Sequence, residues 1–207
     1  MVSETRRKKD EERKARTRRL LLDAAARVFA QNGYHAPRIA DIVAEANVGQ
    51  GTFYRNFTDK RDIFETLFDE FQADLVNEFT DMSAHLPSSV EEYRRASASA
   101  SRRMAAKIVE KRELALVFAR EAPTIDHRFA EKWSDLQERF AQLARFFLEH
   151  ATSNGFARPC DTNLVSRAII GSAMYMSQLY LAGQIEDDPD KLIDELIDFA
   201  FSGIGPA

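Results

Sequence analysis

The sequence predicts an all-α protein of about nine helices, and three observations predict it. Apolar residues recur at helical spacing almost without a gap, no segment shows the two-residue alternation of a half-buried strand, and there are no internal repeats. A composition of 44% hydrophobic and 30% charged residues with only 8 Gly and 6 Pro excludes collagenous, low-complexity and wholly disordered chains.

Residues 1–9 are densely charged and are expected to be disordered, with the charged stretch beyond them a frayed extension of the first helix. Leu21, Ala25, Val28 and Phe29 then set a helical period, and Gly33 stands where a left-handed C-terminal cap is expected. Two short helices follow, about 38–46 and 50–56, too short to be stable without neighbours. Asp59 caps a longer helix, reaching about Phe79, with Phe64, Leu67, Phe68, Phe71 and Leu75 on one face. His85-Leu86-Pro87-Ser88-Ser89 breaks the pattern. Helices are expected over 89–109 and 111–121, the second ending at Pro123. From about Asp126 to Asn154 the spacing is most regular: Phe129, Trp133, Leu136, Phe140, Leu143 and Phe147 step by four and three, and Gly155 ends the run. Asp161 or Thr162 caps a helix ending at Gly183, and Asp188 or Asp190 starts a last one through about Phe201.

The stretch 162–185 holds a single charge, Arg167. It also carries Gly171, Ser172, Ser177, Gln178 and Gly183, so it reads as a buried helix rather than a membrane span. With one cysteine, Cys160, there is no disulfide scaffold. The charged N-terminus is unlike a secretory signal, and the expectation is a soluble, cytoplasmic protein.

Charge is unevenly placed. Residues 1–60 carry 13 Lys/Arg against 8 Asp/Glu, whereas residues 61–207 carry 16 against 25, giving a head of +5 and a body of −9. A basic head suits a polyanion. Within it, Arg38 to Phe57 reads as two short helices joined at Asn47-Val48-Gly49, where Asn tolerates the positive φ of a sharp turn. Ile39, Ile42, Val43 and Val48 form the apolar seam between them. Such a pair behind an amphipathic helix is the helix-turn-helix pattern, and its second helix offers Gln50, Thr52, Tyr54, Arg55 and Asn56 for phosphates and base edges.

From Arg19 to Ile63 the chain resembles the DNA-binding domain of tetracycline-repressor-like (TetR family) transcriptional regulators. The matching residues are Leu22-x-Ala24-Ala25 with Phe29, Gly33-Tyr34, Asp41-Ile42 before Ala46, and Gly51-Thr52-Phe53-Tyr54-x-x-Phe57 followed by Lys60. Pro37, Asn47, Gly49 and Arg61 depart from that pattern. The resemblance implies a helix-turn-helix DNA-binding domain over 1–60 and an effector-binding and dimerisation domain over 61–207. It also implies a DNA-contacting set of Arg38, Gln50, Gly51, Thr52, Tyr54, Arg55, Asn56 and Lys60, with the Tyr54 ring near Phe57 and the Lys60 ammonium on a phosphate. The basic run Arg6, Arg7, Lys8, Lys9, Arg13, Lys14 and Arg16 is a candidate for minor-groove or nonspecific contacts, or a solvated tail.

The function expected is a ligand-responsive repressor, released from a near-palindromic operator by a small, largely apolar effector. The alternatives are a helix-turn-helix activator and a partner-binding module without effector. Met104, Phe118, Phe129, Trp133, Phe140, Met174, Tyr175 and Gln178 are the candidate ligand-binding residues, with Arg103, Arg120 and Glu121 as charged recognition if they turn inward. Apolar residues on all sides of 162–183 and 190–201 place a homodimer interface there. The histidines lack ligand spacing and no catalytic signature is present, so no metal, no cofactor and no enzymatic activity are expected.

Overall fold

The computed structural model describes residues 2–79 and 85–204, and among them nine helices and no strand. They are α1 (Val2–Asn32), α2 (Ile39–Glu45), α3 (Gln50–Tyr54), α4 (Lys60–Asn77), α5 (Val90–Glu110), α6 (Arg112–Ile125), α7 (His127–Ser153), α8 (Thr162–Leu181) and α9 (Pro189–Ile204). The chain divides into two units, Met1–Phe71 and Gln72–Ala207, with the division inside α4.

Helix ends follow the capping residues that the sequence offers. Asp59 accepts the Asp62 N–H at 2.8 Å, Ser89 that of Glu92, Asp126 that of Phe129, and Asp161 those of Asn163 and Leu164. Each side chain satisfies an amide that the first turn leaves without a carbonyl. Gly33 closes α1 with φ of 73° and its N–H on the Phe29 carbonyl.

Three expectations change. First, residues 2–9 are helical rather than disordered, while Met1 lies outside the described residues. Their Arg, Lys and Glu are good helix formers, and Arg7 pairs with Glu11 one turn on. Second, α6 does not stop at Pro123 but carries it and ends at Ile125. The ring deprives only the Ala119 carbonyl of a donor, and the helix runs two residues further, steadied by the Thr124 hydroxyl on the Glu121 carbonyl at 2.8 Å. Third, α3 ends at Tyr54, leaving Arg55 as its C-cap and Asn56 outside.

In the N-terminal unit, α1 buries Leu21, Leu22, Ala25 and Phe29, and α4 buries Ile63, Phe64, Leu67 and Phe68. Phe29 and Tyr34 meet the Phe64 ring, with centroids 5.1 and 4.7 Å away. In the C-terminal unit, α7 packs between α6 and α8, burying Phe129, Leu136, Phe140 and Phe147. Trp133 and Leu143, in the same stripe, are half-buried. Helix α9 lies on α5, where Tyr93 meets Phe201 at 5.0 Å and Arg94 and Arg102 pair with Asp198 and Asp194. Bidentate contacts from Arg167 to Glu138 tie α8 to α7.

Candidate nucleic-acid interface

Helices α2 and α3 are held as a rigid pair by a short turn. Asn47 adopts φ of 51°, and the Val48 N–H reaches back to the Val43 carbonyl at 3.0 Å. An Asn side chain tolerates this left-handed conformation, which a β-branched residue would not. Ile42 and Val43 are buried, Ile39 and Val48 half-buried, so the seam between the helices forms from the residues that the sequence singles out. Asp41 accepts the Arg38 N–H at 2.7 Å, which fixes the start of α2 at Ile39, two residues after Pro37.

Phe53 turns fully inward, and its neighbours in α3 therefore turn out. Gln50, Gly51, Tyr54 and Arg55 are exposed, Tyr54 to 58%. A Cβ on Gly51 would meet nothing within 4 Å, so this residue leaves the helix surface open to close approach by a partner backbone. Thr52 is half-buried and its hydroxyl accepts from Arg55 at 2.9 Å. The Tyr54 ring rests edge-on against Phe53 at 5.5 Å rather than on Phe57, because Phe57 points under α1. Arg38 is exposed beside this face at the start of α2.

Two residues expected to touch DNA have internal partners. The Asn56 amide donates to the Thr52 carbonyl at 2.8 Å, and its side-chain oxygen is buried. Lys60 places its ammonium against three carbonyls, those of Tyr34 (2.7 Å), His35 (3.1 Å) and Pro37 (2.9 Å), and 4.5 Å from the Tyr34 ring centre. An ammonium has three N–H bonds, and here three carbonyls of the irregular 34–37 turn surround it. Lys60 is thus a brace between the start of α4 and the entry to α2.

Arg18 is a further brace. Its guanidinium donates to the Asn56 carbonyl at 2.9 Å and the Thr66 hydroxyl at 3.3 Å, and stacks 4.2 Å over the Phe57 ring. It ties α1, the end of α3 and α4 together. The sequence does carry a signal for it: Arg18 precedes Leu22, Ala25 and Phe29 by four, seven and eleven residues, on the face of α1 that is buried. The density of neighbouring basic residues hides it.

The candidate ligand residues separate into two groups. Phe118, Phe129 and Phe140 are buried in the C-terminal unit, and Met104, Trp133 and Met174 are half-buried. Tyr175 is 61% exposed and Gln178 is exposed, both turned away from that interior. Arg103 does not turn inward: it holds Glu78, by its carboxylate at 3.0 Å and its carbonyl at 2.7 Å. No group of three or more His, Cys, Asp or Glu fit to hold a metal occurs among the described residues.

The brace makes a prediction. Lys60→Met removes all three carbonyl contacts and is expected to destabilise the protein by about 2 kcal/mol, the worth of charged hydrogen bonds discounted for partial exposure. That is a fall of about 4–8 °C in melting temperature for a chain of this size. Tyr54→Phe, which loses only a solvated hydroxyl, should stay within about 0.5 kcal/mol. Equal melting temperatures for Lys60→Met and the parent chain would show that the brace does not hold the turn.

Residues 21–67 match the family model of bacterial regulatory proteins of the tetR family. Over 50 residues the chain is 44% identical to the fatty acid metabolism regulator protein of Bacillus subtilis, a match spanning 24% of this chain and about a quarter (26%) of that relative. A longer match, 26% identical over 167 residues, covers 80% of this chain and 81% of the helix-turn-helix-type transcriptional regulator YhgD of B. subtilis. The fold is that of the solved transcriptional regulator FadR from B. subtilis in complex with stearoyl-CoA, at a TM-score of 0.75 and 21% identity, over 89% of this chain and 98% of that one. The similarity to bacterial regulatory proteins of the tetR family thus lies in residues 21–67, the helix-turn-helix region, and the rest of the chain shares the fold of such regulators.

Proposed function

We propose that the chain is a homodimeric repressor that binds a near-palindromic operator and is released by a small molecule with a long apolar part. The observation that carries the reading is the exposed face of α3, Gln50, Gly51, Tyr54 and Arg55, on a helix pair fixed by buried contacts on its other side. A recognition helix needs this combination, since base edges are read only by side chains held in a set register. Gln50 and Arg55 are assigned to base edges, and Arg38, Thr52 and Tyr54 to the phosphates that fix that register. Tyr54→Phe is expected to weaken binding by a similar factor on every duplex, whereas Gln50→Ala should change which sequences are selected from a randomised duplex pool. Selection of the same sequences by Gln50→Ala would remove it as a base reader.

The second copy is assigned to α8 and α9. Leu164, Tyr175 and Phe199 are 64%, 61% and 70% exposed, large apolar surfaces that a chain in water covers with another chain. A two-fold axis through this face presents one α3 to each half-site. Sedimentation at micromolar concentration should read a dimer, and Phe199→Arg with Tyr175→Glu a monomer. A dimer unaffected by this pair of substitutions would place the interface elsewhere.

The effector is assigned to the aromatic interior of α5 to α8, around Phe118, Phe129, Trp133 and Phe140. Its apolar side chains suit an acyl chain, and the fatty acid regulator and the stearoyl-CoA complex among the similar proteins favour one. Ligand acts by preferring a placement of α4 that spoils the spacing of the two heads, about 34–36 Å in duplex DNA. Linkage then requires operator to weaken ligand by the same factor as ligand weakens operator. Thermal shift across saturated acyl-CoA thioesters of increasing chain length should rise with length, and the affinity of the best should fall when operator is present. Equal affinity with and without operator would eliminate that compound as the effector.

A further inference from the structure

From Thr5 to Arg16 every residue of α1 is exposed. A helix of this length is marginal in water unless something supports it. Within it Arg6, Lys9, Arg13 and Arg16 are spaced by three, four and three residues, which sets four cations in one narrow stripe about 15 Å long. Asp10 and Glu12 flank the stripe, but among the described residues none of its four cations has a carboxylate oxygen within 4 Å, in contrast to Arg7, which pairs with Glu11 on another face. Like charges at such spacing repel one another, and a polyanion laid along the stripe relieves that repulsion.

The direction of the stripe names the polyanion. Lys9 and Arg27 are eighteen residues apart, five full turns, and so lie in line along α1. Arg27 meets Glu45 of α2 at 2.6 Å. The stripe therefore continues, toward the N-terminus, the side of α1 that carries the helix-turn-helix. In that motif the first helix of the pair crosses the DNA backbone while the second enters the groove. Over 15 Å a duplex presents about nine phosphate charges, a far denser array than any protein surface.

We propose that the face of α1 bearing Arg6, Lys9, Arg13 and Arg16 lies along the phosphate backbone of duplex DNA outside the half-site entered by α3, a role that rests on the DNA-binding reading above. The extension carries no sequence information. It adds salt-dependent affinity, lengthens the footprint and is itself stabilised as helix when bound.

The test uses the full chain and matched pairs of substitutions, so that net charge changes equally. Lys9→Gln with Arg13→Gln removes two of the four cations of the stripe, and Arg7→Gln with Lys14→Gln removes two from another face. Glutamine keeps helix propensity. Binding to a fluorescent random-sequence duplex of about 40 base pairs is followed by anisotropy across a salt series, beside binding to phosphatidylglycerol vesicles. Each lost phosphate contact lowers the slope of log affinity against log salt by about 0.9, so the stripe pair should lower it by about two per chain and the other pair by under about half a unit. Equal losses from both pairs would overturn the assignment and leave only diffuse attraction. No loss from the stripe pair, with Tyr54→Phe still weakening binding, would overturn this inference and leave the α3 interface standing. Failure of the unsubstituted chain to bind duplex at low salt, or a preference for vesicles, would overturn both.

Discussion

A helix of five residues has no stability of its own, and everything that the N-terminal unit presents on its surface depends on how α3 is held. Its own sequence supplies only Phe53, fully buried. The rest comes from outside. The left-handed Asn47 fixes the turn, Arg18 grips the Asn56 carbonyl just past the helix, and Lys60 fixes the 34–37 turn on which α2 begins. Both braces are cations facing backbone carbonyls, groups that an irregular segment cannot pair by itself. Each also meets an aromatic ring, Phe57 under Arg18 and Tyr34 beside Lys60. Aromatic face and carbonyl oxygen are both electron-rich, so one charge secures two kinds of neighbour.

The C-terminal unit solves a different problem. Its helices are longer and bury a broad apolar face, but α8 and α9 hold apolar side chains that stay exposed. Only Ser166 and Leu181 of α8 are buried, while Leu164, Tyr175 and Phe199 lie open. Close-packed interiors leave few gaps, so apolar side chains in excess of the core stand at the surface of the unit. The half-buried Met104, Trp133 and Met174 differ from these, standing partly within the unit's own packing.

Charged contacts take up side chains that composition leaves undecided. Arg103, offered by the sequence as a recognition group, instead joins Lys107 on Glu78, and Lys111 pairs with Asp74. These three cations recur every fourth residue through α5 and its C-cap, opposite two carboxylates four apart, Asp74 near the end of α4 and Glu78 just past it. Exposed pairs of this kind contribute little stability singly. Their geometry matters more, since it sets the register of one helix along the other.

The sequence by itself determined what depends on period and on local chemistry. Helix limits came within a few residues wherever a capping Asp or Ser or a closing Gly was present, as at Asp59, Ser89, Asp126, Asp161 and Gly33. The turn at Asn47 and the inward set Ile42, Val43 and Phe53 were legible for the same reason: a helix pair has one way to bury its apolar seam. Tertiary structure decided where long polar side chains end. Lys60 and Asn56 carry the right groups for DNA yet spend them on the Tyr34, His35, Pro37 and Thr52 carbonyls. Arg18 is hidden among cations of similar spacing, and Tyr175 and Gln178 face outward from a helix with no polar side to orient it. Periodicity shows which face of a helix a residue is on, but a flexible side chain reaches several partners from one face, and only the packed chain says which is near.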